Sequence, residues 1–350
     1  MTRALVTGGS GFIGRHLVSA LAARGDSVRV LDLAPAGDLP RGIEYVCGSI
    51  LDRASALRAL DGIDCVYHIA GIAQLWSADP RGLDTVNRAG TESMLRAARA
   101  QKVQRFVHCS SDTVLLPPGR QSGDIDETIS LSLADMAGPY TRSKYLAEQA
   151  ALAASGEEMR VVVVNPTIPV GPGDHNLTPP AAMLARYLAG ASFYLHCVMN
   201  IVDVRDVALG MILAAERGRP GERYILGGEN VPLERILVML SRITGRKRIK
   251  IPLPPALALI AGMASEWVAT HLTHRIPLAT LEGVRLALRS APFDSNKARG
   301  ELGFNPRPAE DALRDAAAWL LSNDSVRRPM TQIERPQAGK STLRGAIKQR

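Results

Sequence analysis

Ala4-Leu-Val-Thr-Gly-Gly-Ser-Gly-Phe-Ile-Gly14 joins an apolar run to a glycine-rich turn and the first residues of an amphipathic pattern. Its order of strand, tight turn and helix start is the opening of a βαβ unit built to hold a dinucleotide pyrophosphate. Gly8, Gly11 and Gly14 make a G-x-x-G-x-x-G frame, and Gly9, Gly11 and Gly14 also fit G-x-G-x-x-G. Both frames share one physics: glycine permits the turn and a close backbone approach, and the helix N-terminus at Phe12 and Ile13 then faces the phosphates. Asp32 ends the next apolar run, 18 residues beyond Gly14, where a carboxylate accepts from ribose hydroxyls and repels a 2′-phosphate. Leu33-Ala34-Pro35 follows with no Arg, so NAD is expected ahead of NADP.

Outward from this motif the chain alternates. Apolar runs at 3–7, 27–32, 43–47, 64–70, 103–109 and 159–164 read as buried parallel strands. Helical patterns at 12–24, 53–60, 82–101 and 140–154 lie between them. The expected fold is α/β, a doubly wound parallel sheet of the Rossmann type over residues 1–166. After Pro166 proline and glycine cluster, and residues 167–322 are expected to form a smaller, mostly helical substrate lobe, with one strand at 223–226 returning to the sheet. Residues 323–350 read as a disordered tail in which seven Lys/Arg face two carboxylates. That tail carries +5 of the net +8, and no basic patch is interleaved with aromatics, so nucleic acid is not an expected partner. Met1-Thr2-Arg3 runs straight into a strand, and the four cysteines lack metal spacing, so a cytoplasmic protein with reduced thiols is expected. The most apolar later stretch, 251–273, holds prolines, Glu266 and His271 and is too interrupted for a span of about 20 residues.

Tyr140-Thr-Arg-Ser-Lys144 supplies the chemistry. Tyr and Lys four residues apart share a helix face, where an ammonium can acidify a phenol into a proton donor and acceptor. The fifth strand ends in Ser110-Ser111-Asp112-Thr113, and Ser111 is placed to hydrogen-bond a substrate oxygen, with Ser110 its confusable neighbour. Ser111, Tyr140 and Lys144 are the expected catalytic set. A non-catalytic dinucleotide-sensing regulator is the alternative of another class, and it would need no such acid/base pair.

These residues resemble the extended short-chain dehydrogenase/reductase family of sugar-nucleotide epimerases, 3β-hydroxysteroid dehydrogenases and dihydroflavonol reductases, over roughly residues 3–320. The resemblance implies NAD(P)-dependent chemistry at a secondary alcohol or ketone and homodimerisation through the helix carrying Tyr140. It implies cofactor contacts from His68 and Ala70 after the fourth strand, from Asn87, and from Pro166 and Thr167 at a strand end. The family usually places an Asp before an aliphatic residue to meet the adenine; here Ser49 and Ile50 occupy those positions. The stretches 75–80, 132–144, 164–174 and 224–230 are similar to the hopanoid-associated sugar epimerase subfamily, which implies a sugar or hopanoid-linked substrate. An apolar alcohol, steroid-like or flavonoid-like, is the alternative favoured by the residues: 177–197 offers only Arg186 as a cation for a diphosphate, and 253–268 is apolar. Trp76, Asp112, Thr113, His175 and Asn176 are substrate candidates. Trp76 and Trp267 read first as core residues and second as pocket lining. The basic tail beside an apolar lobe suggests peripheral contact with the inner face of the membrane. No metal site is expected, since His271 and His274 lack partners at ligand spacing.

Overall fold

The runs Arg3–Thr7, Ser27–Asp32, Cys65–His68, Arg105–Cys109 and Arg160–Pro166 are rich in Val, Leu, Ile, Phe and Cys, and each lies between two neighbours in a sheet covered by helices on both sides. The computed structural model describes residues 1–34, 37, 39–119, 123–190, 193–246 and 249–323. The basic tail expected at 323–350 falls, from 324 on, outside the described residues.

The strands are β1 (Arg3–Thr7), β2 (Ser27–Asp32), β3 (Glu44–Cys47), β4 (Cys65–His68), β5 (Arg105–Cys109), β6 (Arg160–Pro166), β7 (Ile168–Val170), β8 (Phe193–Tyr194), β9 (Val198–Asp203), β10 (Arg223–Leu226), β11 (Glu229–Pro232) and β12 (Ile251–Pro252). The helices are α1 (Phe12–Ala23), α2 (Arg53–Leu60), α3 (Pro80–Asp84), α4 (Gly90–Ala100), α5 (Pro139–Ala153), α6 (Pro179–Ala189), α7 (Val204–Arg217), α8 (Leu233–Thr244), α9 (Pro255–Val268), α10 (Leu281–Leu288) and α11 (Ala309–Ser322). Seven strands pair in the order β10-β6-β5-β4-β1-β2-β3, every pair parallel. The chain reverses its direction of winding between β1 and β4, and the carboxyl ends of those strands open the crevice where such sheets bind ligands.

Two apolar layers sandwich the sheet. Leu17, Val18, Met211 and Ile212 from α1 and α7 cover one face, and Ala56, Leu60, Met94 and Ala151 from α2, α4 and α5 cover the other. A separate core of Leu184, Ile236, Leu240, Leu313 and Leu320 holds α6, α8 and α11 together.

Beyond Pro166 the chain is helical, but it carries more strand than its pattern suggests. Strand β9 pairs with β7 in parallel and β11 in antiparallel fashion, and β12 pairs with β8. Val-Met-Asn-Ile-Val-Asp of β9 is nearly all buried, polar Asn200 and Asp203 included, with only Val198 half-buried, so it lacks the alternation that marks a strand at a surface.

Candidate active site

The glycine turn resolves the choice of frame. Gly8 lies at φ +72°, a region L side chains rarely adopt, and a Cβ there would meet the Ala70 backbone nitrogen at 2.8 Å. The carbonyl of Gly8 accepts from Gly11 N at 3.0 Å, and a Cβ on Gly14 would sit 2.1 Å from that oxygen. Gly8, Gly11 and Gly14 thus fit around one carbonyl, whereas Gly9 packs against Val30. Helix α1 starts at Phe12 with no side-chain cap and no acidic residue in its first turn, so its N-terminal N–H groups stay available to an anion. Asp32 accepts from Ser10 N at 3.0 Å and Ala34 N at 3.1 Å, which fixes its carboxylate beside the turn. An uncapped helix start, a cradle too tight for any Cβ and an oriented carboxylate fit a dinucleotide with an unphosphorylated ribose.

Ser111, Tyr140 and Lys144 come together at the carboxyl edge of β5. All three are buried, and the Ser111 hydroxyl stands beside the Tyr140 phenol. Burial raises the phenol's pKa, and the Ser111 hydrogen bond opposes that shift. Lys144 Nζ donates to the Cys109 carbonyl at 2.7 Å, and burial lowers its pKa. This differs from the sequence expectation of a lysine acidifying the phenol directly: here the ammonium is held on the strand end and Ser111 is the group on Tyr140. Ser110, the ambiguous neighbour, donates its backbone N–H to Val164, and its buried hydroxyl makes no hydrogen bond among the described residues.

Asp112 adds a second titratable group. The Ser111 hydroxyl donates to its Oδ1 at 3.1 Å, and Thr113 donates to the Ser111 oxygen through both its N–H and its hydroxyl. Burial raises the Asp112 carboxyl to about 7, with the Ser111 hydrogen bond opposing. A carboxyl poised near neutrality beside a hydroxyl pair suits acid/base chemistry.

Asn165 with Glu148, and Glu282, were not legible as supports, whereas Asn87 was expected at the site from the resemblance. Asn165 Nδ2 donates to the Ser111 carbonyl at 3.0 Å and to Glu148 at 2.7 Å, and Glu148 pairs with Arg223 at 3.1 Å. Glu148 extends the Tyr140–Lys144 face by one more turn, a spacing visible in the sequence. Asn87 accepts from Ile72 N at 2.7 Å and donates to Ser143 at 2.9 Å, tying the loop after β4 to α5. It sits in a single π-type turn, Thr85–Ala89, of the kind found at functional sites. Glu282 of α10 accepts from Tyr140 N at 3.1 Å and Thr141 N at 2.8 Å, capping a helix whose own N-cap, Gly138, has no side chain. A Cβ on Gly138 would collide with the Glu282 carboxylate at 2.5 Å.

Other sequence candidates fall differently. His68 has both ring nitrogens engaged inside the protein: Nδ1 pairs with Thr7 at 2.8 Å, Nε2 with Thr91 at 3.0 Å, and burial pushes its pKa down to about 3. Ala70 borders the glycine turn. Ser49 turns its hydroxyl onto Leu51 N, and Ile50 packs on Gly90. Pro166 is buried at the end of β6, and the Thr167 hydroxyl is engaged by Asn200 at 2.9 Å. Trp76 is half-buried in the loop after β4, beside Leu75, which reaches α10 at Gly283. His175 and Asn176 are exposed in a loop whose contacts run elsewhere than the Ser111 cluster: His175 stands edge-on to Trp319 of α11, and Gly173 neighbours Arg15 and His16 of α1. Trp267 is exposed, neither core nor pocket. Among the described residues no group of three His, Cys, Asp or Glu is arranged to hold a metal.

Comparison with known proteins agrees with this geometry. A family model described as NAD dependent epimerase/dehydratase family matches residues 4–227. A Synechocystis protein named "Putative dihydroflavonol 4-reductase" is 35% identical, over 92% of this chain and 95% of that one. A Stigmatella aurantiaca 4-hydroxy-2-methyl-3-oxo-4-farnesyl-3,4-dihydroquinoline-1-oxide ketoreductase is 34% identical, over 90% of this chain and 96% of that one. The crystal structure of gox2253 superposes with a TM-score of 0.79 at 35% identity, covering 92% of this chain and 99% of that one.

Proposed function

The chain belongs to the NAD dependent epimerase/dehydratase family, and on that premise we propose that it interconverts an apolar secondary alcohol and its ketone. The observation that carries the reading is the meeting of four buried groups, Ser111, Asp112, Tyr140 and Lys144, at the carboxyl edge of β5, with Ser111 bonded to Asp112 and Lys144 held by Cys109. Bound NAD supplies the hydride acceptor or, when reduced, the donor. Tyr140 moves the proton at the substrate oxygen while Ser111 donates a hydrogen bond to the same oxygen. Lys144, held by the Cys109 carbonyl, would bind the ribose beside the reacting centre, and Asp112 accepts the Ser111 hydroxyl until the substrate oxygen takes its place. In this reading residues 1–166 hold the cofactor and 167–322 form the substrate lobe.

A reductase or dehydrogenase is preferred to a sugar-nucleotide epimerase because of Arg186. It is the one cation between residues 177 and 197, and its guanidinium donates to the Leu278 carbonyl at 2.6 Å, inside the lobe, where a diphosphate would need it. The two relatives named above as reductases add weight on the same side. A polycyclic isoprenoid of the hopanoid kind is one member of the substrate class. The protein is placed in the cytoplasm, as a homodimer along α5, and in peripheral contact with the membrane that holds such substrates. The test is purified protein with NADH and a panel of apolar ketones, followed by loss of nicotinamide absorbance. Turnover of apolar ketones supports the reading. Tightly held NAD with sugar-nucleotide conversion and no net absorbance change contradicts it.

A further inference from the structure

Helix α9 is built inside out. A surface helix of a globular domain turns its large apolar residues inward. Here Ala258, Gly262 and Ala269 face the protein, while Leu257, Ile260, Met263, Trp267 and, in the turn that continues the helix, Leu272 are each more than half exposed. Small residues on the inner side let the helix lie close on α10, where a Cβ on Gly262 would stand 3.3 Å from the Leu281 backbone. The polar groups are turned inward as well. Ser265 accepts from Ala279 N at 3.4 Å, and Glu266 accepts from Leu281 N at 2.7 Å. Glu266 is the one carboxylate between residues 245 and 278, so the outward stripe of α9 carries no negative charge.

The surroundings specify what covers this face. Ile249, Ile276 and Leu278 extend the exposed apolar surface at both ends of the helix. Cations bracket it in sequence: Arg246, Lys247, Arg248 and Lys250 before it and Arg275 after it, against the single Glu266. Trp267 stacks on His271 at 5.1 Å, an aromatic pair of the kind that sits at headgroup level. No helix among the described residues is long and apolar enough to cross a membrane. An apolar stripe flanked by basic residues and lacking acids is the arrangement of a helix lying in the plane of a bilayer interface.

We infer that the outward face of α9 docks the protein on an anionic lipid bilayer, with Leu257, Ile260, Met263 and Trp267 in the acyl boundary and Arg246, Lys250 and Arg275 at the headgroups. The opposite side of this helix packs on α10, whose Glu282 caps the catalytic helix. The docked face is therefore one helix away from Tyr140. The inference stands on exposure and charge and is independent of the substrate reading.

The test uses the full chain and vesicles of about 30 mol % phosphatidylglycerol in phosphatidylcholine, with pure phosphatidylcholine as control. The protein is expected to sediment with the anionic vesicles and at least about tenfold less with the neutral ones. Leu257→Glu/Ile260→Glu should lower binding by at least about tenfold while leaving the melting temperature and NADH binding unchanged, since both positions are exposed. Brominated lipids should quench tryptophan emission, and Trp267→Phe should abolish that quenching. Equal binding by the double variant, or a wild-type protein that stays in solution with both vesicles, would overturn the inference. So would a dimer in sedimentation velocity that Leu257→Glu/Ile260→Glu dissociates, because the face would then belong to a second copy.

Discussion

Asp112→Asn should make the protein more stable at alkaline pH and less active. The carboxyl is buried, its hydrogen-bond donors are Ser111 and the local backbone, and burial raises it from 3.8 to about 7. A folded-state pKa above the unfolded one means that the fold favours the protonated acid. That contribution is fully present below about 3.8 and is lost as pH rises through about 7. A shift of this size corresponds to about 4 kcal/mol between the two ends of the range. Asparagine is nearly isosteric, keeps an oxygen to accept from Ser111 and never ionises. The variant should therefore exceed the wild type by about 4 kcal/mol above pH 8, by about 2 kcal/mol at pH 5, and by little at pH 4. Urea unfolding at a series of pH values measures the gap. A gap that stays flat from pH 5 to 8 would refute the reasoning, because Asp112 would then titrate alike in the folded and unfolded chains. Retained full activity in the variant would remove Asp112 from the chemistry.

Other outcomes follow from the same geometry. Tyr140→Phe should lower kcat by about a thousandfold with NADH affinity unchanged, measured by steady-state kinetics and nicotinamide fluorescence. Glu282→Ala should cost about 2 kcal/mol by loss of the cap on α5, with Glu282→Gln costing less than half of that, both read from thermal unfolding. Gly14→Ala should abolish NAD binding in calorimetry, since a Cβ there meets the Gly8 carbonyl at 2.1 Å. Asp32→Ser should narrow the preference for NADH over NADPH by at least about tenfold in kcat/KM.

The fold was legible because each layer obeys a local rule. Parallel strands covered on both sides read as unbroken apolar runs, and the glycine turn marks where the first of them meets its helix. That Ser111, Tyr140 and Lys144 would lie together was legible from spacing on one helix and from position at a strand end. What escaped depends on contacts far apart in the chain. Glu282 caps Tyr140 across 142 residues, and nothing in its own neighbourhood marks it. His68 read first as a satisfied packing residue and second as a cofactor contact, but that Thr7 and Thr91 from two other elements would be the partners of its two nitrogens had no local mark. Strand β9 lacked alternation because nearly every side chain in it is buried. The apolar pattern of 251–273 was visible, but whether its large side chains point in or out is decided by α10 and its small-residue contacts.

The most direct measurement is transfer of deuterium from stereospecifically labelled NADH to an apolar ketone, followed by mass spectrometry of the alcohol. The wild type should place one deuterium on the carbinol carbon, and Tyr140→Phe should form labelled product about a thousandfold more slowly. Undiminished transfer by Tyr140→Phe, or no transfer to any ketone while NADH binds, would contradict the account.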